Sequence, residues 1–295
     1  MVVVSKPGHR PAIDQSALER RLSGLPLGRI CAFNSLPSTN DEALRLAESS
    51  ALDLTLVYAD EQTAGKGRAG RRWYTPPGAG LAFSLVLHPP QEISPVISHI
   101  TALGALAVCE ALQQKYALAA QVKWPNDVLV NGRKLAGVLV ESRWAAERLV
   151  AIILGIGINV APESVTEAGR QEQPLLYPAT CLEAELHRQV DRLELLYDVL
   201  ERLVYWRKHT GTAEFLKAWE GNLAFRGEFV QIILGEVSAT NRESTHPARL
   251  SASPLEGWLT GLADDGSLKL STRTGEVVLV RFGDVRLRPV ESPAT

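Results

Sequence analysis

The sequence has few cysteines, a single methionine and no long apolar run. Its three cysteines, Cys31, Cys109 and Cys181, lie far apart, form no C-x-x-C pair and have no nearby histidines at metal-ligand spacing. This scarcity excludes a disulfide framework and a cysteine-based zinc site, and we expect buried thiols in a reducing compartment. The start MVVVSKPGHRP is too short an apolar run for a signal peptide, and no stretch of roughly 18 apolar residues follows. We therefore expect a soluble, cytoplasmic protein.

A strong net charge is also missing. Lysine and arginine total 31 and aspartate and glutamate total 33, which gives a formal net charge of −2. Such a chain does not attract nucleic acid or an acidic membrane as a whole, so any cationic site must be local. Hydrophobic residues make up 45% and charged residues 22%, as in ordinary globular proteins, and 295 residues suffice for one large domain with or without a small one.

Hydrophobic periodicity predicts an α+β core followed by a small all-β module. Helical patterns occupy residues 16–24, 38–50, 95–118 and two stretches within 181–221. Strand patterns occupy residues 29–36, 54–59, 80–87, 120–124, 127–142 (with a hairpin turn at Asn131-Gly132) and 148–160. From about Phe225, short alternating segments predict a small β-barrel with a surface insertion at 239–254. We divide the chain into a leader (1–28), a core domain (29–224) and a C-terminal β-domain (225–295).

The segment TAGKGRAGRRWYTPPG, residues 63–78, is the first candidate site. Its glycines have the G-x-G-x-x-G spacing of a dinucleotide-binding turn, but Pro76-Pro77 forbid the helix that such a turn must open. No Gly-Lys-Ser/Thr completes a Walker-type loop either. Glycines that let the backbone approach a ligand, with four cations in eight residues, instead indicate an anion-binding loop. The alternative is a basic surface turn, and the adjacent Trp73 favours the ligand site.

A second cluster comprises KWPND (123–127) and GRKLAG (132–137) on adjoining predicted strands. It brings Lys123, Asp127 and Lys134 close together in the sequence. A lysine beside a phosphate neutralises charge in phosphoryl transfer, and an aspartate can accept a proton or hold Mg²⁺. On these residues alone, a solvated strand-edge turn remains an open alternative.

Five segments together resemble the biotin–protein ligases, in the same order along the chain. They are STN (38–40), EQTAGKGRAGRRW (61–73), KWPNDVLVNGRKLAGVLVE (123–141), GIGIN (155–159) and GDVRLR (283–288), and the two long ones are highly specific. The resemblance covers residues from about 30 to 290. It implies a catalytic domain with a mixed β-sheet and flanking helices, of class II synthetase-like type, and a small SH3-like barrel behind it.

The resemblance implies a two-step reaction. Biotin and ATP, with Mg²⁺, give biotinyl-5′-AMP and pyrophosphate, and biotin then passes to a lysine of a biotin carboxyl carrier protein. This is the activity of a biotin–[acetyl-CoA-carboxylase] ligase. The carrier belongs to a biotin-dependent carboxylase, and the Met-Lys-Met of carrier domains is absent here because Met1 is the chain's sole methionine.

The resemblance also implies roles for individual residues. Those matched to biotin contacts are Ser38, Thr39, Asn40, Gln62, Lys66, Gly67, Arg68 and Lys134. Those matched to nucleotide contacts are Gly65, Lys66, Arg68, Arg71, Trp73, Asn126, Asn159 and Arg288. The implied catalytic residues are Lys134, Arg68 and Asp127, with Asp127 also a candidate Mg²⁺ contact and a candidate base toward the acceptor lysine. Thr39 with Glu42 fits a capping box as well, so the first segment can also serve as a helix start.

Two departures from the family pattern affect these expectations. Lys66 stands where many members have arginine, so a forked donor becomes a point charge, and we expect a tuned affinity. Members that double as repressors carry a helix-turn-helix domain of about 60 residues before the core. Only some 30 residues stand there here. We therefore expect the short form, with no DNA or membrane partner, as a monomer or homodimer.

Three alternatives stay under consideration. A lipoate or octanoate ligase shares the architecture and the acyl-adenylate chemistry, although the KWPND-to-KLAG block favours biotin. A DNA-binding repressor is disfavoured by the net charge of −2. A non-catalytic biotin-binding relative is disfavoured by the retention of Lys134, Asp127 and the complete glycine loop.

Overall fold

The computed structural model describes residues 10–49, 51–89, 97–165, 178–234, 254–281 and 285–289. The helices in these ranges are α1 (Gln15–Leu22), α2 (Thr39–Glu48), α3 (Ile97–Tyr116), α4 (Leu182–Leu186), α5 (Arg192–Arg207) and α6 (Ala213–Gly221). The strands are β1 (Ile30–Leu36), β2 (Thr55–Gln62), β3 (Gly80–Leu87), β4 (Ala120–Lys123), β5 (Asp127–Val130), β6 (Arg133–Ala145), β7 (Arg148–Asn159), β8 (Phe229–Leu234), β9 (Leu255–Leu262), β10 (Leu268–Ser271), β11 (Val277–Val280) and β12 (Val285–Pro289).

The first seven strands form one mixed sheet. Their order is β1-β2-β3-β7-β6-β5-β4, with β1 and β2 parallel and the other neighbours antiparallel. Helix α3 covers one face and is itself covered by α5, which explains why α3 is apolar almost all round. Helix α2 packs on the opposite face against Val57, Val86 and Ile153. The predicted mixed sheet with flanking helices is confirmed.

The C-terminal strands form a second, smaller sheet of order β11-β10-β9-β8-β12. Among the described residues β11 and β12 are the two edge strands and do not pair with each other. Its core residues, such as Leu259 and Leu268, belong to the same hydrophobic cluster as α3 and Trp219. The insertion predicted at 239–254 lies, apart from Pro254, outside the described residues.

Several local predictions can be compared with the structure. The β5–β6 hairpin turns at Asn131-Gly132, both with positive φ (50° and 71°), as an Asn-Gly hairpin turn requires. The region 181–221 holds the two expected helices and also the short α4, which the periodicity missed because five residues are too few to show a period. The three cysteines are buried and unpaired, as expected. In the described part of the chain, no helix has both the length and the hydropathy that a membrane crossing needs.

Candidate active site

The two sequence-predicted clusters meet in one cavity on the α2 face of the seven-stranded sheet. Strand β7 shows how the sequence creates it. Ile152, Leu154 and Ile158 point into the core under α3, and the alternate positions Gly155 and Gly157 point toward α2. Because glycine has no side chain, these two positions leave a trough between α2 and the glycine loop.

The cavity wall contains nearly every residue predicted for the site. The predicted residues that line it are Ser38, Thr39, Asn40, Gln62, Lys66, Gly67, Arg68, Arg71, Trp73, Asn126, Asp127, Lys134 and Asn159. Gly65, which belongs to the same loop, lines a neighbouring groove instead. Arg288 lies in β12, where it pairs through its backbone with Gln231, and its side chain is outside the described part of the structure.

The first segment is both a helix start and a cavity wall, but its cap differs from the prediction. Ser38 is the N-cap of α2, and its Oγ accepts from the Asp41 N–H at 3.4 Å. The proposed Thr39–Glu42 capping box is wrong by one residue, since Glu42 instead pairs with Arg45 at 2.6 Å. The Thr39 side chain is therefore not used for capping and turns into the cavity.

Behind this wall lies a buried hydrogen-bond network. The Thr39 backbone N–H donates to Gln62 Oε1 at 2.8 Å, and Asn40 Nδ2 donates to Glu141 Oε2 at 2.7 Å. Ser84 Oγ lies 2.8 Å from Thr39 Oγ1 and 2.6 Å from Asn40 Oδ1. Gly155 makes room for the Asn40 amide, because a Cβ at position 155 would collide with it.

Each group in this network can be assigned as a hydrogen-bond donor or acceptor. Glu141 can only accept, so the Asn40 Nδ2 faces it and Oδ1 faces Ser84, which must donate to that oxygen. Ser84 has then spent its one proton, so the Thr39 hydroxyl is a donor, with Gln62 Oε1 at 3.1 Å and Ser84 Oγ at 2.8 Å as its acceptors. Thr39 Oγ1 thus has its proton engaged and presents a lone pair to the cavity.

Ser38 has the complementary polarity. Its Oγ accepts from Asp41, and that contact leaves the hydroxyl proton for a ligand acceptor. The wall therefore offers an acceptor at Thr39 beside a donor at Ser38. A ligand that matches it carries an N–H next to a carbonyl oxygen.

A lysine–aspartate cluster occupies the β4–β6 side of the cavity. Lys134 Nζ lies 2.6 Å from Asp127 Oδ1, and Lys123 Nζ lies 3.4 Å from Asp127 Oδ2. The pairing of β5 with β6 has a register shift between Val128 and Leu129, which separates Asp127 from the position that pairs with Lys134. Such bulges change the direction of nearby side chains. The Lys134 ammonium also lies 5.6 Å from the centre of a Trp73 ring.

The pKa values in this cluster follow from burial and charge. Burial raises the pKa of Asp127, but Lys134 and then Lys123 outweigh burial and hold that pKa below its ordinary value. Burial lowers the pKa of Lys123, and the attraction of Asp127 opposes that shift without cancelling it. Asp127 is consequently ionised at neutral pH and, while it keeps both lysines, a weak base.

The glycine loop is a small hairpin folded on itself. The Gly67 N–H donates to Arg71 O at 2.7 Å, and the Trp73 N–H donates to Gly65 O at 2.8 Å. Its tip, Arg68–Gly70, is a single 3-10 turn with Ala69 and Gly70 at positive φ. No helix follows within the described residues 71–79, so the rejection of a dinucleotide-binding turn is confirmed.

Two loop cations are tied to the rest of the site. Lys66 forms an ion pair with Asp41 on α2, and the hydrogen bond to Asp41 raises the pKa of Lys66. Arg68 Nη1 donates to Asn126 Oδ1 at 3.3 Å, and Asn126 Nδ2 in turn donates to Val138 O at 3.0 Å. The loop thus spans the cavity from α2 to the β5–β6 strands.

Trp73 lies on a floor made of glycines. A Cβ at Gly157 would collide with its indole, and a Cβ at Gly137, which pairs with Gly157 across β6 and β7, would lie 3.2 Å from it. The flat indole face above two side-chain-free positions suits the stacking of a planar ring. Sequence reasoning missed Gly137 and Gly155 as site residues, although the alternation of glycines in GIGIN (155–159) was a usable signal.

Other missed residues come from segments distant in sequence. Asn159 Nδ2 donates to Thr180 O at 3.1 Å, and the cavity is closed there by Ser164, Val165 and Ala179. Ser84 and Glu141 act behind the wall. Ser84 lies outside the five segments, and Glu141 ends the segment 123–141 but was assigned no role there. Within the described residues no group of three or more His, Cys, Asp or Glu side chains is arranged to hold a metal ion.

Known proteins similar to this chain identify its family. Residues 32–159 match the biotin/lipoate A/B protein ligase family. The biotin–[acetyl-CoA-carboxylase] ligase of Paracoccus denitrificans is 34% identical over 247 residues, which cover 82% of this chain and 94% of that protein. The chain belongs to the biotin–protein ligase family.

Two further relatives define the extent of the match. The bifunctional ligase/repressor BirA of Bacillus subtilis is 33% identical over 207 residues, and the match spans 67% of this chain and 59% of that protein. The biotin protein ligase of Aquifex aeolicus, solved in complex with biotin and ATP, superposes with a TM-score of 0.70 and 28% identity, covering 89% of this chain and 99% of that one.

Proposed function

We propose that this chain is an ATP-dependent biotin–protein ligase. It forms biotinyl-5′-AMP from biotin and ATP and then transfers biotin to a lysine of the carrier protein of a biotin-dependent carboxylase. The observation that carries the proposal is the two-ended cavity. A neutral wall with a fixed donor and acceptor stands on the α2 side, and a lysine–aspartate cluster with a cationic loop stands on the other.

The polarity of the wall favours biotin over lipoate. A ureido ring carries N–H groups beside a carbonyl oxygen, so its N–H can donate to Thr39 and its carbonyl can accept from Ser38. The dithiolane ring of lipoate has no N–H and no carbonyl, and it would leave both wall groups unpaired. Unpaired buried polar groups cost free energy, about 1–3 kcal/mol each. Gln62 and Asn40 hold this wall in place and complete the proposed ureido site.

The proposed first step takes place at the cationic end. A biotin carboxylate oxygen attacks the α-phosphorus of ATP, the P–O bond to pyrophosphate breaks, and pyrophosphate leaves. Lys134, Arg68 and Lys66 neutralise the negative charge that gathers between carboxylate and phosphate, with Gly65 and Gly67 allowing the loop backbone to approach. Trp73 and Asn159 are the proposed contacts of the adenine, and Arg71 and Asn126 of the phosphates. We also propose Arg288 as a nucleotide contact.

We propose that Mg²⁺ binds together with ATP. Asp127 is held by two lysines, so the described residues do not build an all-protein Mg²⁺ cage. Mg²⁺ commonly binds through substrate phosphates plus one or two carboxylates, and Asp127 is the carboxylate available here. We therefore write the substrate as MgATP.

In the second step the acceptor lysine attacks the acyl carbon and AMP leaves. The amine must first lose a proton. When the acyl phosphate of biotinyl-5′-AMP draws Lys134 away, Asp127 loses one of its two cations and its basicity rises. We assign that proton to Asp127.

We further propose that the five C-terminal strands belong to an SH3-like barrel and that the chain divides into residues 1–28, 29–224 and 225–295. We also propose that the catalytic sheet is of the class II synthetase-like type.

Pyrophosphate release from MgATP, measured without any acceptor protein, tests the proposed function. Biotin and lipoate are supplied in separate reactions. Release with biotin and not with lipoate is the expected result. Release with lipoate alone would assign the chain to lipoate ligation, and no release with either would leave a non-catalytic binding protein.

A further inference from the structure

The turn between β9 and β10, residues 263–267, contacts α3 and the residue after β4 through three consecutive carbonyl oxygens. Asp264 O accepts from His99 Nε2 at 3.1 Å, and Asp265 O accepts from Ser98 Oγ at 2.8 Å. Gly266 O accepts from the Trp124 indole N–H at 3.0 Å. We call these five residues the β9–β10 turn.

The turn fits its seat closely. Gly266 has φ +78°, a conformation that favours glycine, and a Cβ there would lie 2.7 Å from Trp219 and 3.2 Å from Ser98. The Asp265 carboxylate accepts from the Ser267 N–H at 2.9 Å and holds the turn in shape. The turn is therefore closely packed against α3 and α6.

Trp124 is the contact that leads into the active site. It is fully buried and lies directly between Lys123 and the Pro125-Asn126-Asp127 segment. A buried indole N–H needs an acceptor, and here the acceptor comes from the C-terminal sheet. The aromatic body of Trp124 lies in the same hydrophobic cluster as α3 and the C-terminal strands.

Val122, the residue before Lys123, is held by hydrogen bonds to the segment that follows α6. The Val122 N–H donates to Asn222 O at 2.7 Å, and the Ala224 N–H donates to Val122 O at 3.0 Å. Residues 222–224 form the connection that leads from α6 into the C-terminal sheet. Val122 is thus held by the connection between α6 and β8, and Trp124 by the C-terminal sheet.

We propose that the β9–β10 turn, acting through Trp124, positions the Lys123–Asp127–Lys134 cluster for acyl-adenylate formation. Trp124 and Gly266 are positioning residues, because neither touches the reacting atoms. Lys123 reaches Asp127 at 3.4 Å and Asp127 reaches Lys134 at 2.6 Å, so a shift of Trp124 is passed to the lysine proposed to meet the substrate. This inference rests on the proposed ligase activity and adds the C-terminal sheet to its machinery.

Trp124→Phe tests the proposal, with Trp206→Phe as the matched control. Trp124→Phe keeps an aromatic side chain and removes the N–H that binds Gly266. Trp206→Phe makes the same change at an indole whose N–H donates to Glu110, away from the turn and the cavity. The measurements are the single-turnover rate of biotinyl-AMP formation, the KM for biotin and the Tm of each protein.

We expect Trp124→Phe to slow adenylate formation by about 10- to 100-fold, as a misplaced catalytic group does, with the KM for biotin unchanged. Trp206→Phe should keep the wild-type rate at a comparable loss of Tm. Equal rates in the two variants, or a wild-type rate in Trp124→Phe, would overturn the proposal. If Trp124→Phe does not fold, Gly266→Ala is measured instead, because its added methyl group displaces the turn. The same slower adenylate formation at an unchanged KM for biotin is expected. Inactive wild-type protein in this assay would instead count against the ligase function itself.

Discussion

Asp127 shows how the surroundings of one residue decide the chemistry open to it. In the sequence it is an aspartate after a proline and an asparagine, equally suited to metal binding, proton transfer or ion pairing. In the structure it is buried between two ammonium groups, and its lowered pKa makes it an anchor for Lys134 in the ligand-free protein. Its use as a base depends on the substrate's removing one of those cations.

Lys134→Ala should abolish adenylate formation while leaving the fold intact. The variant loses the ammonium that neutralises the carboxylate and phosphate, and losing one such electrostatic contact typically slows catalysis by about 10²- to 10³-fold. Lys134 is partly exposed on β6, so far-UV circular dichroism should match the wild type. The control is Arg133→Ala, which removes the adjacent cation paired with Glu185 outside the cavity. Wild-type pyrophosphate release by Lys134→Ala would remove the lysine from the mechanism.

Asp127→Asn should lower the free energy of unfolding most at neutral pH. The folded-state pKa of Asp127 lies below the ordinary value of about 3.9, so its ionisation stabilises the fold above that pH and the effect fades as pH falls through the folded pKa. Urea unfolding at several pH values measures the difference between the two proteins. The difference should shrink in acid. A difference that grows toward low pH would mean that the folded state raises this pKa instead.

At the level of elements, the glycine loop bridges two parts of the catalytic domain. Lys66 ties it to the first turn of α2, and Arg68 ties it to Asn126 beside β5. The loop backbone closes on itself at Gly65–Trp73, where a Cβ on Gly65 would collide with the Trp73 carbonyl. The glycine spacing matches a nucleotide turn, but Pro76-Pro77 excluded that turn already in the sequence, and the structure shows a hairpin whose side chains carry the charge.

Asp41→Asn should loosen this loop with little cost in stability. Both partners of the Lys66–Asp41 pair are nearly half exposed, and exposed pairs contribute about 0–1 kcal/mol. Limited trypsin digestion should cut within residues 66–72 several-fold faster in the variant, at an unchanged Tm. Glu48→Gln, which breaks the similarly exposed Arg143–Glu48 pair, is the control and should digest like the wild type. Equal digestion of all three proteins would show that the pair does not hold the loop.

Gly157→Ala should displace Trp73 from the strand floor. The new methyl group would occupy the place of the indole, and overpacking of this kind costs about 1–3 kcal/mol unless the neighbour moves. We expect weaker ATP binding by calorimetry together with a changed tryptophan emission. Gly24→Ala, whose added methyl meets nothing within 4 Å, is the control. Unchanged ATP affinity in Gly157→Ala would separate Trp73 from the nucleotide site.

At the scale of the whole molecule, the two sheets share one hydrophobic core. The cluster that fills the space between the large sheet, α3 and α5 continues without a break into Leu259, Leu262 and Leu268 of the C-terminal sheet. Polar contacts reinforce it, since Glu220 of α6 accepts from the Leu262 N–H at 2.9 Å and Trp124 donates to Gly266. The C-terminal sheet is thus part of the packing that supports the active site.

The two sheets should therefore unfold together. Thermal unfolding followed by far-UV circular dichroism and by tryptophan fluorescence should give coincident curves. Biotin with MgATP should raise the single Tm, because a ligand bound at 100 times its Kd adds about 2.7 kcal/mol of stability. Two separated transitions, with only the first moved by ligand, would show that the C-terminal sheet folds independently.

The sequence by itself determined most of the elements and the chemistry at the two motifs. The apolar run GLAFSLVL predicted β3 at its observed bounds, the Asn131-Gly132 turn predicted the β5–β6 hairpin, and Pro76-Pro77 excluded a helix after the loop. These features follow from local stereochemistry, so neighbouring residues suffice to predict them. The cap of α2 was misplaced by one residue because Ser38 and Thr39 are both good caps and only packing against Gln62 distinguishes them.

The tertiary structure alone decided how distant segments combine. Ser84 and Glu141 set the polarity of Thr39 and Asn40 from strands far along the chain, and Gly157 became the seat of Trp73 through the β6–β7 pairing. The link from Gly266 to Trp124 crosses 142 positions of sequence. Contacts of this kind depend on the order of strands in a sheet and on which face each residue occupies, and no local pattern encodes either. The motifs therefore supplied the reacting groups, and the fold supplied their orientation and their charge state.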